Sequence, residues 1–302
     1  IHGQAFVSRP QNALRILLSY QLRSVAHLVC SPARVKSITS RQNVLVTRIR
    51  NARRERRSTR KHLVLEGLRV VSDAQQSGIA IDTALVSNTA FKNDPDVKHL
   101  CTQFDSNKTS LATCSEQIMT AVSPLRSPST VVALGSYKPV DSEKIISYEP
   151  NGLIVMPLAV QDPGNLGAII RSAVAAGSAG IIVDRSSADP YGWKALRGSM
   201  GCTFRLPVAD TDNTLETIRR ARHLGWTIVA TSPHNGTSVY DANLNRRVIL
   251  LVGNEGSGLG PELDQEVDIT LSIPMSGNIE SLNVAVATAI IAYEIRRQRH
   301  VT

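Results

Sequence analysis

Three segments set polar side chains where a loop turns into a helix, and their residue types restrict the chemistry available there. VILLVGNEGSGLG (248–260) puts a glycine-rich loop directly after an apolar run. A phosphate-binding P-loop needs Gly-Lys-Ser/Thr after its glycines, and this loop has no lysine. A dinucleotide fingerprint belongs at the first strand of its sheet, where a helix N-terminus meets pyrophosphate, whereas this loop follows a late strand. Glu255 inside the loop would repel phosphate rather than bind it. Two readings stay open: a tight turn whose glycines supply positive φ, or a loop that lets a ligand without phosphates approach the backbone. S-adenosylmethionine, built of an adenosine, an amino acid and a sulfonium cation, is such a ligand. Near the C-terminus, IPMSGNIESLNVAVATAIIAYEIRRQR (273–299) ends an apolar segment in a Pro/Gly/Asn loop, after which Ser281, Leu282 and Asn283 open a long apolar helix. Asn165, in DPGNLGAIIRSAVAAG (162–177), occupies a similar loop. Either asparagine can hydrogen-bond a ligand, and either can be ordinary cap or turn chemistry.

The elements that would position these residues are those of an α/β protein. GLIVMPL, AGIIVD, WTIVATS and RVILLVG are short apolar runs rich in β-branched residues and separated by helical stretches, which predicts a parallel sheet with helices on both faces over 151–302. Before it, IDTALVSN and STVVALGSY read as strands and SEQIMTAVSP as a helix, so a small α/β domain with a basic lead-in helix is expected over 41–138. KPVDSEKIISYEPN is polar with two prolines, and 139–150 is expected to be a linker. The 302 residues carry a net charge of +9, and residues 1–54 alone hold ten Lys and Arg and no Asp or Glu. Such an Arg- and Ser-rich, acid-free start reads as an organellar transit segment over 1–40, mitochondrial ahead of plastid, or as a basic RNA-binding arm. Arg53, Arg54, Arg56, Arg57, Arg60 and Lys61 are dense enough to attract phosphates, or they are a solvated helix face. The four cysteines form no C-x-x-C and the seven histidines no H-E-x-x-H, so nothing points to a metal enzyme. No apolar run reaches the roughly 18–20 residues of a membrane span.

Taken in order, DPGNLGAIIRSAVAAG, LLVGNEGSGLG and IPMSGNIESLNVAVATAIIAYE resemble the three motifs of the SpoU family of RNA 2'-O-ribose methyltransferases, in the SPOUT superfamily. DPYGWKALRGSMGCTFRLPV resembles the family's intervening segment, and HLVLEGLRVVSDA its L30e-like substrate-binding domain. The resemblance covers about residues 40–302. It implies a trefoil-knotted methyltransferase domain, S-adenosylmethionine as cofactor, RNA as partner and a homodimer. Carried over by motif position, Gly253, Glu255, Gly256, Ile273, Met275 and Leu282 are expected at the cofactor, and Asn165, Arg171, Ser281 and Asn283 at the reacting ribose. The helix opened by Asn283 is expected to offer free N–H groups. Lys194, Arg197 and Ser199, with Arg56, Arg57 and Arg60 of the basic run, are expected to contact RNA. In the family the first-motif arginine, here Arg171, is credited with activating the hydroxyl. A guanidinium with a pKa above about 12 is an awkward base, and a bidentate grip on the neighbouring phosphate suits it better. The family's acidic and aromatic residues after that arginine are replaced here by AVAAG (173–177). The expected substrate is a guanosine of mitochondrial large-subunit rRNA, free or in an assembling subunit. A tRNA substrate, or a non-catalytic RNA-binding assembly factor, is the alternative.

Overall fold

The computed structural model describes residues 35–123, 125, 127–136, 138–148, 152–253, 259–277 and 279–300. The N-terminal unit comprises β1 (Lys36–Ile38), α1 (Val44–Ala52), β2 (His62–Glu66), α2 (Leu68–Gln76), β3 (Ile81–Ser87), α3 (Asn88–Asn93), α4 (Pro95–Ser106), β4 (Ser110–Cys114), α5 (Glu116–Val122) and β5 (Val131–Ser136). Its sheet runs β1-β4-β3-β5-β2, with β5 antiparallel to both its neighbours and the β1–β4 and β4–β3 pairs parallel. Alternate strand residues face opposite sides. Leu63, Leu65, Ala84 and Val86 pack with α2 and α4, whereas Val64, Leu85, Val132 and Leu134 pack with α1 and α5. The edge strand β1 lies inside the segment 1–40 that was expected to be a leader, so the ordered sheet begins before residue 41.

The C-terminal unit follows as α6 (Ser142–Tyr148), β6 (Leu153–Pro157), α7 (Pro163–Ala175), β7 (Gly180–Asp184), α8 (Trp193–Gly198), β8 (Val208–Thr211), α9 (Thr214–His223), β9 (Thr227–Thr231), β10 (Thr237–Ser238), β11 (Val248–Val252), α10 (Pro261–Asp264), β12 (Ile269–Ser272) and α11 (Val284–His300). The seven strands are all parallel, in the order β10-β12-β9-β11-β6-β7-β8. Every residue of β6 and β11 is buried, as expected of strands covered on both faces. Leu153, Val155, Val248, Leu250 and Val252 point into a cluster with α7 and α11. Ile154, Met156, Ile249 and Leu251 point the other way, into a cluster with α6 and α9. The expected linker is therefore a docked element: Ile145 and Ile146 of α6 are buried there, and Trp226 Nε1 donates to the Ile146 carbonyl at 2.8 Å.

Helix α8 ties the units together. Its Leu196 belongs to the core of the N-terminal unit, and its other side meets α7 almost backbone to backbone. A Cβ on Gly167 would lie 2.7 Å from Ala195 O and Ser199 N, so only glycine permits this approach. Around this contact, arginines bridge the two units. Arg57 is paired bidentately with Asp210 and also donates to the carbonyls of Asp184 and Ser187, and Arg60 is paired bidentately with Asp189. Arg205 reaches back to the buried Asp73 at 2.6 Å. These pairs correct the expectation that Arg57 and Arg60 contact RNA. A guanidinium fork held by fixed carboxylates in a half-buried seam is not available to phosphate.

Two stability predictions follow from this seam. Replacing Gly167 with Ala should destabilise by about 1–3 kcal/mol through the α7–α8 clash, read as a lowered melting temperature; an unchanged melt would refute the close approach. Arg57→Ala should cost roughly 2–4 kcal/mol, since it strands half-buried acceptors, whereas Arg56→Ala, at an exposed side chain, should leave the melt unchanged.

Candidate active site

The pocket lies where parallel-sheet ligand sites are expected, beyond the carboxyl ends of the strands. Loops after β9, β11 and β12 and the start of α11 enclose a cavity of about 530 Å³. Gly253, Ile273, Met275, Ser281 and Leu282 line it, which brings together five of the residues singled out from the sequence motifs. Ser281, expected at the ribose, thus lines the same cavity as residues expected at the cofactor. Glu255 and Gly256 lie outside the described residues. The lining also includes Ala230–Pro233 at the end of β9 and just after it, and Asp264 and Val267, none of which carries a motif signal, together with Leu259 of the second motif. Only the general rule that loops at the carboxyl ends of strands form such sites could have pointed to the β9 loop. Val284, Ala287 and Ile291 close the floor from α11, recurring at helical spacing.

An asparagine relay sits at the start of α11. Asn283 Oδ1 accepts from Ala285 N at 2.9 Å, so it caps the helix. The helix N-terminus therefore does not offer the free N–H groups expected there, because Asn283 takes up Ala285 N and, at 3.4 Å, Val286 N. With its oxygen committed to the cap, Asn283 must present Nδ2 on the other side, and it donates to Asn165 Oδ1 at 3.0 Å. That bond in turn orients the Asn165 amide and leaves its NH₂ as the uncommitted end. Asn165 itself sits in the first turn of α7, where Asp162 caps its N–H at 2.7 Å. Two loops remote in sequence are thus joined through a pair of amides, one end of which caps a helix while the other can hydrogen-bond a ligand.

The remaining sequence-predicted residues separate into two groups. Arg171 lies on the exposed side of α7, nearly two turns beyond Asn165, and makes no ion pair among the described residues. Lys194 and Arg197 are exposed on α8. Gly198, the residue after Arg197, lies against Gly164, with a built Cβ 3.4 Å from the Gly164 carbonyl, so Arg197 is carried close to the loop that holds Asn165. Ser199 is a correction: it is fully buried, its hydroxyl donating to Leu196 O at 3.0 Å and paired with Thr203 at 2.9 Å. It finishes α8 and does not meet a substrate. Cys114 is buried and its thiol is pushed up to about 12, by burial first and Glu116 second, so it is not a nucleophile. Among the described residues no group of His, Cys, Asp and Glu could hold a metal ion, and no helix is long and apolar enough to cross a membrane.

The relay can be measured as a coupling. Asn283→Ala should cost about 1–2 kcal/mol in urea unfolding, from the cap and the shared bond, and Asn165→Ala about 0.5–1.5 kcal/mol. The double variant should fall short of their sum by about 0.5–1.5 kcal/mol; strict additivity would mean the two amides do not interact.

Comparison with known proteins matches this arrangement. The model of the SpoU rRNA Methylase family matches residues 152–293, and that of the MRM3-like substrate binding domain matches residues 46–133. A 23S rRNA guanosine 2'-O-methyltransferase of Bacillus subtilis is 31% identical over 247 residues, covering 82% of this chain and 92% of that protein. An rRNA methyltransferase from Sinorhizobium meliloti superposes with a TM-score of 0.76 at 31% identity, covering 89% of this chain and 99% of the other, and has also been solved with AdoMet bound. The SpoU methyltransferase AviRb from Streptomyces viridochromogenes, in complex with AdoMet, superposes with a TM-score of 0.75 at 28% identity, covering 86% of this chain and 100% of that one. With its α/β methyltransferase unit, its separate substrate-binding unit and five of its motif residues lining one cavity, this chain belongs to the SpoU methylase family.

Proposed function

We propose that the protein transfers a methyl group from S-adenosylmethionine to a ribose 2'-oxygen of RNA, at a guanosine of mitochondrial large-subunit rRNA. The observation that carries the reaction is the joining of Asn165 to Asn283 beside the cavity lined by Gly253, Ile273, Met275 and Leu282. The cavity fits the cofactor: apolar walls suit the adenosine, and Asp264 is a carboxylate on the lining able to face a cationic ligand. The bound cofactor supplies an electrophilic methyl on a sulfonium. Ile273, Met275 and Leu282 keep water from the transfer line. The Asn165 NH₂ is the group available to hold the ribose, and Asn283 keeps it turned outward. Arg171, exposed and unpaired among the described residues, is the group suited to grip the adjacent phosphate bidentately. As the O–C bond forms and the S–C bond breaks, the hydroxyl proton leaves late, to phosphate or water.

The guanosine and the large-subunit rRNA are supported by the Bacillus subtilis relative's substrate, and the mitochondrial matrix, ahead of the plastid, by the acid-free basic N-terminus. We take the enzyme to work as a homodimer, in keeping with the exposed Val286 and Tyr293, which lie seven residues apart on one side of α11. Its substrate is either free rRNA or the assembling large subunit.

The test is incubation with methyl-labelled S-adenosylmethionine and mitochondrial rRNA or total tRNA, followed by nucleoside analysis. Label should appear in 2'-O-methylguanosine from rRNA and fall at least about a hundredfold with Asn283→Ala or Arg171→Lys, while Arg171→Lys keeps RNA binding within a few-fold. Label in tRNA alone would redirect the substrate. Unlabelled RNA together with absent cofactor binding would leave an RNA-binding factor without catalysis.

A further inference from the structure

A second concavity lies on the N-terminal unit and shares no lining residue with the first cavity. It is an open groove of about 600 Å³ between α1 and the start of β2. One wall is a ridge of α1: Val44, Thr47, Arg48 and Asn51 recur at helical spacing and Ala52 closes its end, while Val46 and Ile49 on the opposite side are buried and fix the helix. The other wall is His62 with Glu55. Both ring nitrogens of His62 are engaged, Nδ1 with Glu55 at 2.9 Å and Nε2 with Arg48 at 3.3 Å, which holds the ring in place. Val44 is 82% exposed, more than any other large apolar side chain among the described residues. Arg48 is tied to His62 and, at 3.5 Å, to Asp82, so the exposed Val44 side chain and the Asn51 amide are the groups this wall presents to a ligand.

Charge indicates the occupant. Residues 36–61 carry ten Lys and Arg and a single acid, Glu55. Burial works to raise the Glu55 carboxyl, but bonds from the His62 ring and from the N–H groups of Lys61 and His62 outweigh it and hold the carboxyl below its usual range. Its charge is therefore satisfied within the wall. Arg53, Arg57 and Arg60 are drawn inward to Glu66, Asp210 and Asp189. Arg41, Arg50, Arg54, Arg56 and Lys61, on α1 or close in the chain to α1 and β2, stay exposed.

We infer that this groove receives an unpaired nucleotide of the RNA substrate, its base against Val44 and Thr47 with the Asn51 amide at its edge, and its phosphates among the exposed cations. The inference rests on the proposed function and adds a reading site separate from the reacting ribose. Splayed single-stranded bases are the usual targets of such concave polar and apolar sites, whereas a duplex presents its phosphates but no free base edge.

The experiment uses the full chain, a fluorescein-labelled single-stranded 12-nucleotide RNA of mixed sequence, and the same sequence as a duplex. The variant Val44→Ser with Asn51→Ala alters no charge. It should weaken single-strand binding about five- to tenfold by fluorescence anisotropy and leave duplex binding and calorimetric S-adenosylmethionine affinity within twofold. Independently, 4-thiouridine RNA crosslinked to the unaltered protein should label the peptide spanning residues 42–62. Equal loss for both RNAs, no loss, or crosslinks confined to other regions would overturn the inference; the last two would also be seen if residues 1–34 of the chain itself filled the groove. A protein that gives the expected binding and crosslinks, but methylates no RNA, would count against the proposed reaction and not against the groove.

Discussion

The seating of α7 between α8 and α11 is the contact on which the site depends. On one side Gly164, Gly167 and Gly198 let two helices meet with backbone atoms in contact. On the other, Ala173 and Ala176 of the first motif share a cluster with Ile291, Ala292 and Ile295 of α11. The small residues that stand where the family often has an acidic and an aromatic side chain are thus part of this packing. The seating of α7 against both helices sets where Asn165 stands relative to Asn283, whose Nδ2 reaches it at 3.0 Å. The amide relay is therefore a report of helix packing as much as of local chemistry.

That packing also determines where the cations go. Half-buried carboxylates at Asp189 and Asp210 sit at the seam between the two units and draw in Arg60 and Arg57. Their neighbours Arg54, Arg56 and Lys61 remain at the surface. One basic run consequently performs two tasks: some of its arginines hold the units in fixed relation, and others are available to phosphate. Helix α8 has a comparable double role. Leu196 and Ser199 point into cores, Arg53 lies 5.8 Å from the Trp193 ring at its start, and Lys194 and Arg197 face solvent.

Much of this was legible in the sequence because it follows local rules. The four apolar runs of the second unit became β6, β7, β9 and β11, and IDTALVSN became β3, since β-branched alternation and run length reflect burial directly. Leu282, Ile273, Met275 and Gly253 converge because each occupies a loop at the same end of a parallel sheet. The misreadings have a common cause. KPVDSEKIISYEPN is polar overall, yet it buries two isoleucines on one side of a short helix. Ser199 has the composition of a contact residue and the environment of a core residue.

By itself the sequence determined the α/β class, the two units, the order of the motifs and the residue types available at the site, because these depend on periodicity, composition and short-range spacing. Tertiary structure decided which side chains do what. Only folding shows that the Asn283 oxygen is committed to the helix cap and its nitrogen to Asn165, that the β9 loop completes the cavity, and that Arg57 pairs with Asp210 while Arg56 does not. The physical reason is the same in each case. A polar side chain takes the partner that packing places within hydrogen-bond distance, and that partner lies 118 residues away for Asn283 and 153 for Arg57.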